Sequence, residues 1–60
     1  MAQNTIVMAF RKRLSKRGYT DISIYRLHGD EYQVKAREPL ANQIVVVRLQ
    51  RMQMHYLMRK

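Results

Sequence analysis

A dense cluster of basic residues occupies positions 11–17. Five of the chain's twelve lysines and arginines stand in these seven positions, and no acidic residue precedes them. Cations at this density can neutralise several backbone phosphates and release their counterions, which makes affinity fall steeply with salt. The alternative is a solvated helix face that keeps a small protein in solution. We favour binding, and the predicted nucleic-acid contacts are Arg11, Lys12, Arg13, Lys16 and Arg17.

A second candidate surface combines bases with an aromatic residue on a predicted sheet. Side chains alternate in polarity with a period of two between residues 20 and 37, so one set shares a face with Tyr25 and Gln33. Bases on a β-surface can contact phosphates while an aromatic ring stacks on a nucleobase, which is worth ~1–3 kcal/mol. The alternative is that Tyr25 only covers the strand and binds no nucleobase. The predicted contacts here are Tyr25, Lys35, Arg37 and, if a third strand turns its valines inward, Arg48.

No constellation in the chain predicts catalysis. His28 and His55 lie far apart, with no second ligand at helical or hairpin spacing, and cysteine is absent. No constellation of serine and aspartate pairs with either histidine, so a nucleophilic triad has no basis. Glycine-rich phosphate loops are also absent. The sequence predicts a non-enzymatic protein without metal or cofactor, whose acidic residues all fall near predicted turns or element ends: Asp21, Asp30, Glu31 and Glu38.

A helix over about residues 5–17 must position the basic cluster. Asn4 or Thr5 can cap its N-terminus, and Gly18 suits the left-handed residue just past its C-terminus. Its apolar residues fall within one stripe, which should pin the helix to a sheet and present the bases in a fixed geometry. The stripe consists of Ile6, Val7, Phe10 and Leu14.

Two strands joined by a turn at residues 28–31 are predicted to follow. Their register depends on loop length, because a one-residue slip moves every side chain to the other face. A two-residue loop places Tyr25 and Leu27 on the apolar face of the second strand. An odd-length loop places Ile22 and Ile24 there instead. We expect the second arrangement, since it buries two isoleucines.

The C-terminal third of the chain allows two interpretations. Four β-branched residues at 44–47 favour a third strand, because branching at Cβ restricts helical rotamers. The competing interpretation is one long helix beginning near Pro39, apolar on two sides. If residues 44–47 form a strand, the methionine-rich tail, residues 51–60, forms a short helix or extends that strand. The tail either closes the core or provides an interface.

The predicted fold class is α+β, one small domain covering residues 1–60. An N-terminal helix packs on a three-stranded antiparallel sheet (αβββ), with a possible short C-terminal helix; the alternative is αββα with a long C-terminal helix. The order superficially resembles the double-stranded-RNA-binding domain. That family begins its C-terminal helix with a lysine-rich motif, whereas only Arg48 and Arg51 stand near the corresponding point here. No family motif can be placed residue by residue, and the element order by itself predicts no function.

Size and charge bound the partners. A sixty-residue domain buries only ~60% of its unfolded surface, and without disulfides a homodimer is the expected source of additional stability. No stretch reaches the ~20 apolar residues of a membrane span, and the first helix needs its stripe for the core. We therefore predict no membrane partner and a cytoplasmic location.

The net charge of +8 favours nucleic acid, DNA or RNA, as the partner. The alternative function is that of a small phage or mobile-element protein that binds an acidic surface of a host protein and modulates it. A pull-down that survives nuclease treatment would favour that alternative.

Overall fold

The computed structural model describes residues 5–59, which form a helix, a three-stranded antiparallel sheet and a second, short helix. The predicted αβββ order with a short C-terminal helix is confirmed. The alternative with one long C-terminal helix is wrong, because the β-branched run at 44–47 lies in the third strand. The elements are α1 (Thr5–Lys16), β1 (Thr20–His28), β2 (Glu31–Arg37), β3 (Ile44–Gln50) and α2 (Arg51–Met58).

Helix α1 ends as its sequence predicts. Gly18 adopts a φ of 93°, and its N–H donates to Ser15 O at 3.1 Å while Tyr19 N–H donates to Leu14 O at 3.1 Å. These two bonds satisfy carbonyls that the last turn would otherwise leave unpaired, which is the Schellman arrangement. The predicted cap at Asn4 lies outside the described residues.

The β1–β2 hairpin has the predicted faces, but they arise in a different way. His28 pairs with Glu31 across a two-residue loop, and a register shift then separates His28 from Arg26. This bulge adds one residue to β1, so Ile24 rather than Tyr25 faces the core side opposite Val34. The expectation that an odd-length loop sets the register is wrong. A short loop and a bulge give the same result.

The core lies between the two helices and one face of the sheet. Ile6 and Phe10 of α1 pack with Tyr32 and Val34 of β2, and Met54 of α2 is 0% exposed at the centre. Methionine is unbranched and fills such irregular gaps. One residue of the tail therefore closes the core. The partly buried residues packed around this centre are Val7, Leu14, Ile24, Leu49 and Met58.

Strand β3 passes directly into α2 without a loop. Gln50 ends the strand and its N–H donates to Gln53 Oε1 at 2.7 Å, while Arg51 N–H donates to Asp30 O at 2.9 Å. Both bonds satisfy donors that a helix N-terminus leaves free. The junction fixes where the strand stops and holds α2 against the β1–β2 turn.

The inner face of β3 is less covered than expected. Val45 and Val47 pair with Ala36 and Val34, so they lie on the core side of the sheet as predicted. They nevertheless remain 39% and 46% exposed. The helices cover the β2 part of the sheet and leave an apolar area along β3.

Candidate nucleic-acid interface

The basic side chains of α1 extend in three directions: toward β1, toward α2 and into solvent. Arg11 extends toward β1 and its Nη1 donates to Ile22 O at 2.9 Å. Arg13 extends toward α2, where its Nη1 donates to Met58 O at 2.9 Å in a partly buried position. Because both guanidinium groups are held by backbone carbonyls, these two residues fix the helix while keeping their charge.

Lys12 and Lys16 occupy the solvent side of α1. They are four residues apart, so they are neighbours on one helix face. With Arg13 they border a shallow depression of about 270 Å³ between α1 and Met58. No carboxylate lies in this lining, and neither lysine has a hydrogen bond or ion pair within the described part of the chain. Three cations around one concavity can hold an anion such as a phosphate.

Arg17 lies at the end of the helix beside Tyr19. Both line a second depression of about 240 Å³, which Arg13 also borders. Arg13 therefore borders both depressions. We call the surface formed by Lys12, Arg13, Lys16 and Arg17 the helix surface.

The predicted outer face of the sheet is present in the register that the sequence indicated. Tyr25, Gln33 and Arg48 are cross-strand partners in one row, and Lys35 lies in the next row beside Val46. Tyr25 is 50% exposed and its hydroxyl accepts a hydrogen bond of 2.6 Å from Gln33 Nε2. We call the face formed by Tyr25, Gln33, Lys35, Arg37 and Arg48 the outer sheet surface.

Arg37 differs from the other cations of this surface. Its Nε is 3.2 Å from Asp21 Oδ2 and its Nη1 donates to Asn42 O at 2.9 Å. These contacts join β1, β2 and the turn before β3. Arg37 thus has a structural partner on each side, whereas Lys35 and Arg48 show no ion pair among residues 5–59.

The two basic surfaces lie on opposite sides of the molecule. Helix α1 packs on the sheet face that carries Tyr32 and Val34, and the outer sheet surface is the reverse face. The sequence-predicted contacts are therefore not brought together into one continuous surface within one chain. One short nucleic-acid segment cannot lie on both surfaces at once.

All four acidic residues have partners outside the helix surface. Asp21 pairs with Arg37, Asp30 Oδ1 lies 3.2 Å from Arg51 Nη2, and Glu31 Oε1 lies 3.5 Å from His28 Nε2. The fourth acid, Glu38, accepts backbone N–H bonds in the turn that follows β2. No acidic side chain is thus paired with the cations of the helix surface in the described chain.

Sequence reasoning overlooked Arg26. It pairs with Tyr32, shares the face of Ile24 and is exposed, so it adds charge to the helix side of the sheet. Its position follows from strand alternation once the bulge is known. The two histidines, His28 and His55, are exposed.

Neither a metal cluster nor a membrane span is found among residues 5–59. No group of three or more histidine, cysteine or acidic side chains could hold a metal ion there, and no helix in that range is long and apolar enough to cross a bilayer. Comparison of the chain with protein-family models, with curated proteins and with solved structures found no significant match.

Proposed function

We propose that this protein is a non-enzymatic, cytoplasmic nucleic-acid-binding protein that acts as a homodimer and contacts the phosphate backbone through the helix surface. The observation that carries the proposal is the charge arrangement of that surface. Its cations line two depressions that share Arg13, while all four acidic side chains are engaged at turns or strand ends. A phosphate approaching α1 meets positive potential without nearby repulsion.

The chemistry of the surface favours binding without sequence preference. Lys12 and Lys16 are flexible point charges that suit phosphates, and Arg13 is already bonded to Met58 O. Sequence readout requires side chains that reach base edges, usually from a helix or ribbon inserted in a groove. We therefore expect similar affinity for unrelated sequences, with dissociation constants of about 10⁻⁴–10⁻⁶ M at physiological salt.

A salt titration with two charge-matched variants tests the proposal. Lys16→Gln removes one charge from the helix surface, and Lys35→Gln removes one from the opposite side. Binding to a random-sequence duplex is measured by fluorescence anisotropy at several salt concentrations. The helix variant should make the negative slope of log K against log salt less steep by about 0.9, because each phosphate that a lysine neutralises contributes ~0.9.

The control variant should leave that slope nearly unchanged. An equal decrease in both variants would show that net charge alone drives binding and would remove the helix surface from the proposal. Wild-type affinity that does not respond to salt would remove nucleic-acid binding altogether.

An acidic protein surface could occupy the same cations. The alternative of a small protein that binds and modulates a host protein rests on this equivalence. Capture of a partner by the immobilised protein, before and after nuclease treatment, separates the two. Retention after nuclease supports the protein partner, and release supports nucleic acid.

A further inference from the structure

The outer edge of β3 has no neighbouring strand within the described chain, because the strand order is β1-β2-β3. Hydrogen bonds at the two ends of the β2–β3 ladder show which backbone groups of β3 point away from β2. Glu38 N–H donates to Gln43 O, and Arg51 N–H donates to Asp30 O. In an antiparallel ladder the bonded pairs recur at every second residue, so the odd-numbered residues of β3 bond to β2.

The even-numbered residues of β3 consequently point their N–H and C=O groups away from the sheet. These are Ile44, Val46 and Arg48, since Gln50 N–H is already bonded to Gln53. These three alternate residues present unpaired N–H and C=O groups along the edge, to which another strand can bond.

The side chains around this edge are apolar on both faces. Ile44 and Val46 lie on the outer face, Val46 being 53% exposed, and Val45 and Val47 lie on the inner face. The inner-face apolar area continues onto α2, where a depression of about 420 Å³ contains Leu49, Met52, Tyr56 and Leu57. A contiguous exposed apolar surface of this kind is typical of protein–protein interfaces.

We propose that β3 pairs antiparallel with β3 of a second copy, with the two-fold axis at Val46, to form one six-stranded sheet. In this register Val46 faces the second copy's Val46, and Ile44 faces its Arg48. Every outward-facing backbone group of the three residues then gains a partner. The inference concerns a surface different from the helix surface, so it does not depend on nucleic-acid binding.

The low charge of the edge segment suits a second copy better than an acidic partner strand. The edge segment 44–50 carries one charge, Arg48, and no acid. The proposed register sets the two Arg48 residues about four residues apart along the ladder, roughly 14 Å at ~3.4 Å per residue. An axis at Arg48 itself would place the two guanidinium groups side by side. An acidic partner strand would find only one cation to pair with.

The area that a stable dimer must bury also indicates an interface larger than the strand edge. A stable interface buries about 800 Å² per partner, more than three residues of backbone supply. Val45 and Val47 would pack against their counterparts across the axis on the inner face. The exposed apolar residues of α2, including Met52 and Leu57, extend the buried area beyond the ladder.

Amide hydrogen exchange of the wild-type protein tests the proposal without any substitution. The amides of Ile44, Val46 and Arg48 should exchange at least about tenfold more slowly when the concentration rises from about 10 μM to about 1 mM. Those of Val45 and Val47 bond to β2 in one copy and serve as internal controls. Sedimentation equilibrium should meanwhile show twice the chain mass of 7.3 kDa.

Two variants at the axis test the register. Val46→Lys places two ammonium groups together at the axis, and Val46→Pro removes an outward N–H that β2 does not use, which an edge strand tolerates. Both should sediment as monomers, whereas Val46→Thr should remain dimeric.

A monomeric wild type at about 1 mM would overturn the inference. So would a dimer in which the amides of Ile44, Val46 and Arg48 stay unprotected. A dimer that survives in both Val46→Lys and Val46→Pro would place the interface elsewhere and have the same effect.

Discussion

Pro39 lies directly against Gly18, with its Cβ 3.3 Å from the position that a β-carbon on residue 18 would take. The contact joins the end of α1 to the turn between β2 and β3. Glycine at this position thus serves two purposes, since its φ of 93° also terminates the helix.

Gly18→Ala should lower the free energy of unfolding by about 2 kcal/mol or more, because a side chain there meets both backbone strain and Pro39. Gly29→Ala is the matched control. Gly29 has a φ of 54° and nothing within 4 Å of an added β-carbon, so only the strain of about 1 kcal/mol applies. Urea unfolding followed by far-ultraviolet circular dichroism measures both. Equal destabilisation would mean that the Pro39 contact has no energetic effect.

Met54→Ala should destabilise the protein by about 2–5 kcal/mol, since it opens a cavity at the only fully buried side chain described. A domain of this size has a total stability of about 3–9 kcal/mol, so unfolding is best measured in sulfate, which strengthens burial. Met8→Ala removes the same atoms from a side chain that is 55% exposed and should change stability by less than about 0.5 kcal/mol. Similar destabilisation of the two variants would contradict the placement of Met54.

Arg13→Ala should lower the free energy of unfolding by about 1–3 kcal/mol. The reason is that the guanidinium group donates, in a partly buried position, to the carbonyl of Met58 at the end of α2. Arg17→Ala removes the same charge from an exposed residue one turn later and should be nearly neutral. Thermal unfolding of the two variants at equal salt separates the hydrogen bond from the relief of charge repulsion. If Arg17→Ala destabilised the protein and Arg13→Ala did not, the assignment of the stabilising hydrogen bond to Arg13 would be wrong.

Asp21 combines an ion pair with a left-handed backbone, φ 52°, at a second register shift of β1, between Thr20 and Ser23. Asp21→Asn removes only the exposed pair with Arg37 and should cost less than about 1 kcal/mol. Asp21→Ala removes the pair and also places alanine in the left-handed region, which adds roughly 1 kcal/mol. The difference between their urea midpoints isolates the backbone contribution. Identical midpoints would show that the left-handed backbone at residue 21 adds no cost for alanine.

The sequence predicted the elements more successfully than the packing between them. The stripe of Ile6 and Phe10, the glycine at 18 and the β-branched run are local signals, and they determine α1 and β3 correctly. The bulge at Arg26 and His28 has no local signal that distinguishes it from an odd-length loop. Only the burial of two isoleucines, Ile22 and Ile24, favoured the right face.

The basic cluster shows a similar limit. Density along the chain indicated a surface, but it could not show that the guanidinium groups of Arg11 and Arg13 would bond to carbonyls of β1 and α2. It also could not show that Lys35 and Arg48 would face the opposite side. Both facts depend on tertiary packing that a helical wheel does not contain.

The two register shifts of β1 determine how far an assembly through β3 can grow. They interrupt the ladder between Thr20 and Ser23 and between Arg26 and His28, so the outer edge of β1 is irregular. In a six-stranded sheet joined through β3, both ends would be β1 edges. Bulged edges accept another strand poorly. Polymerisation into a fibre is thus opposed at the strand farthest from the contact, and assembly should stop at two chains.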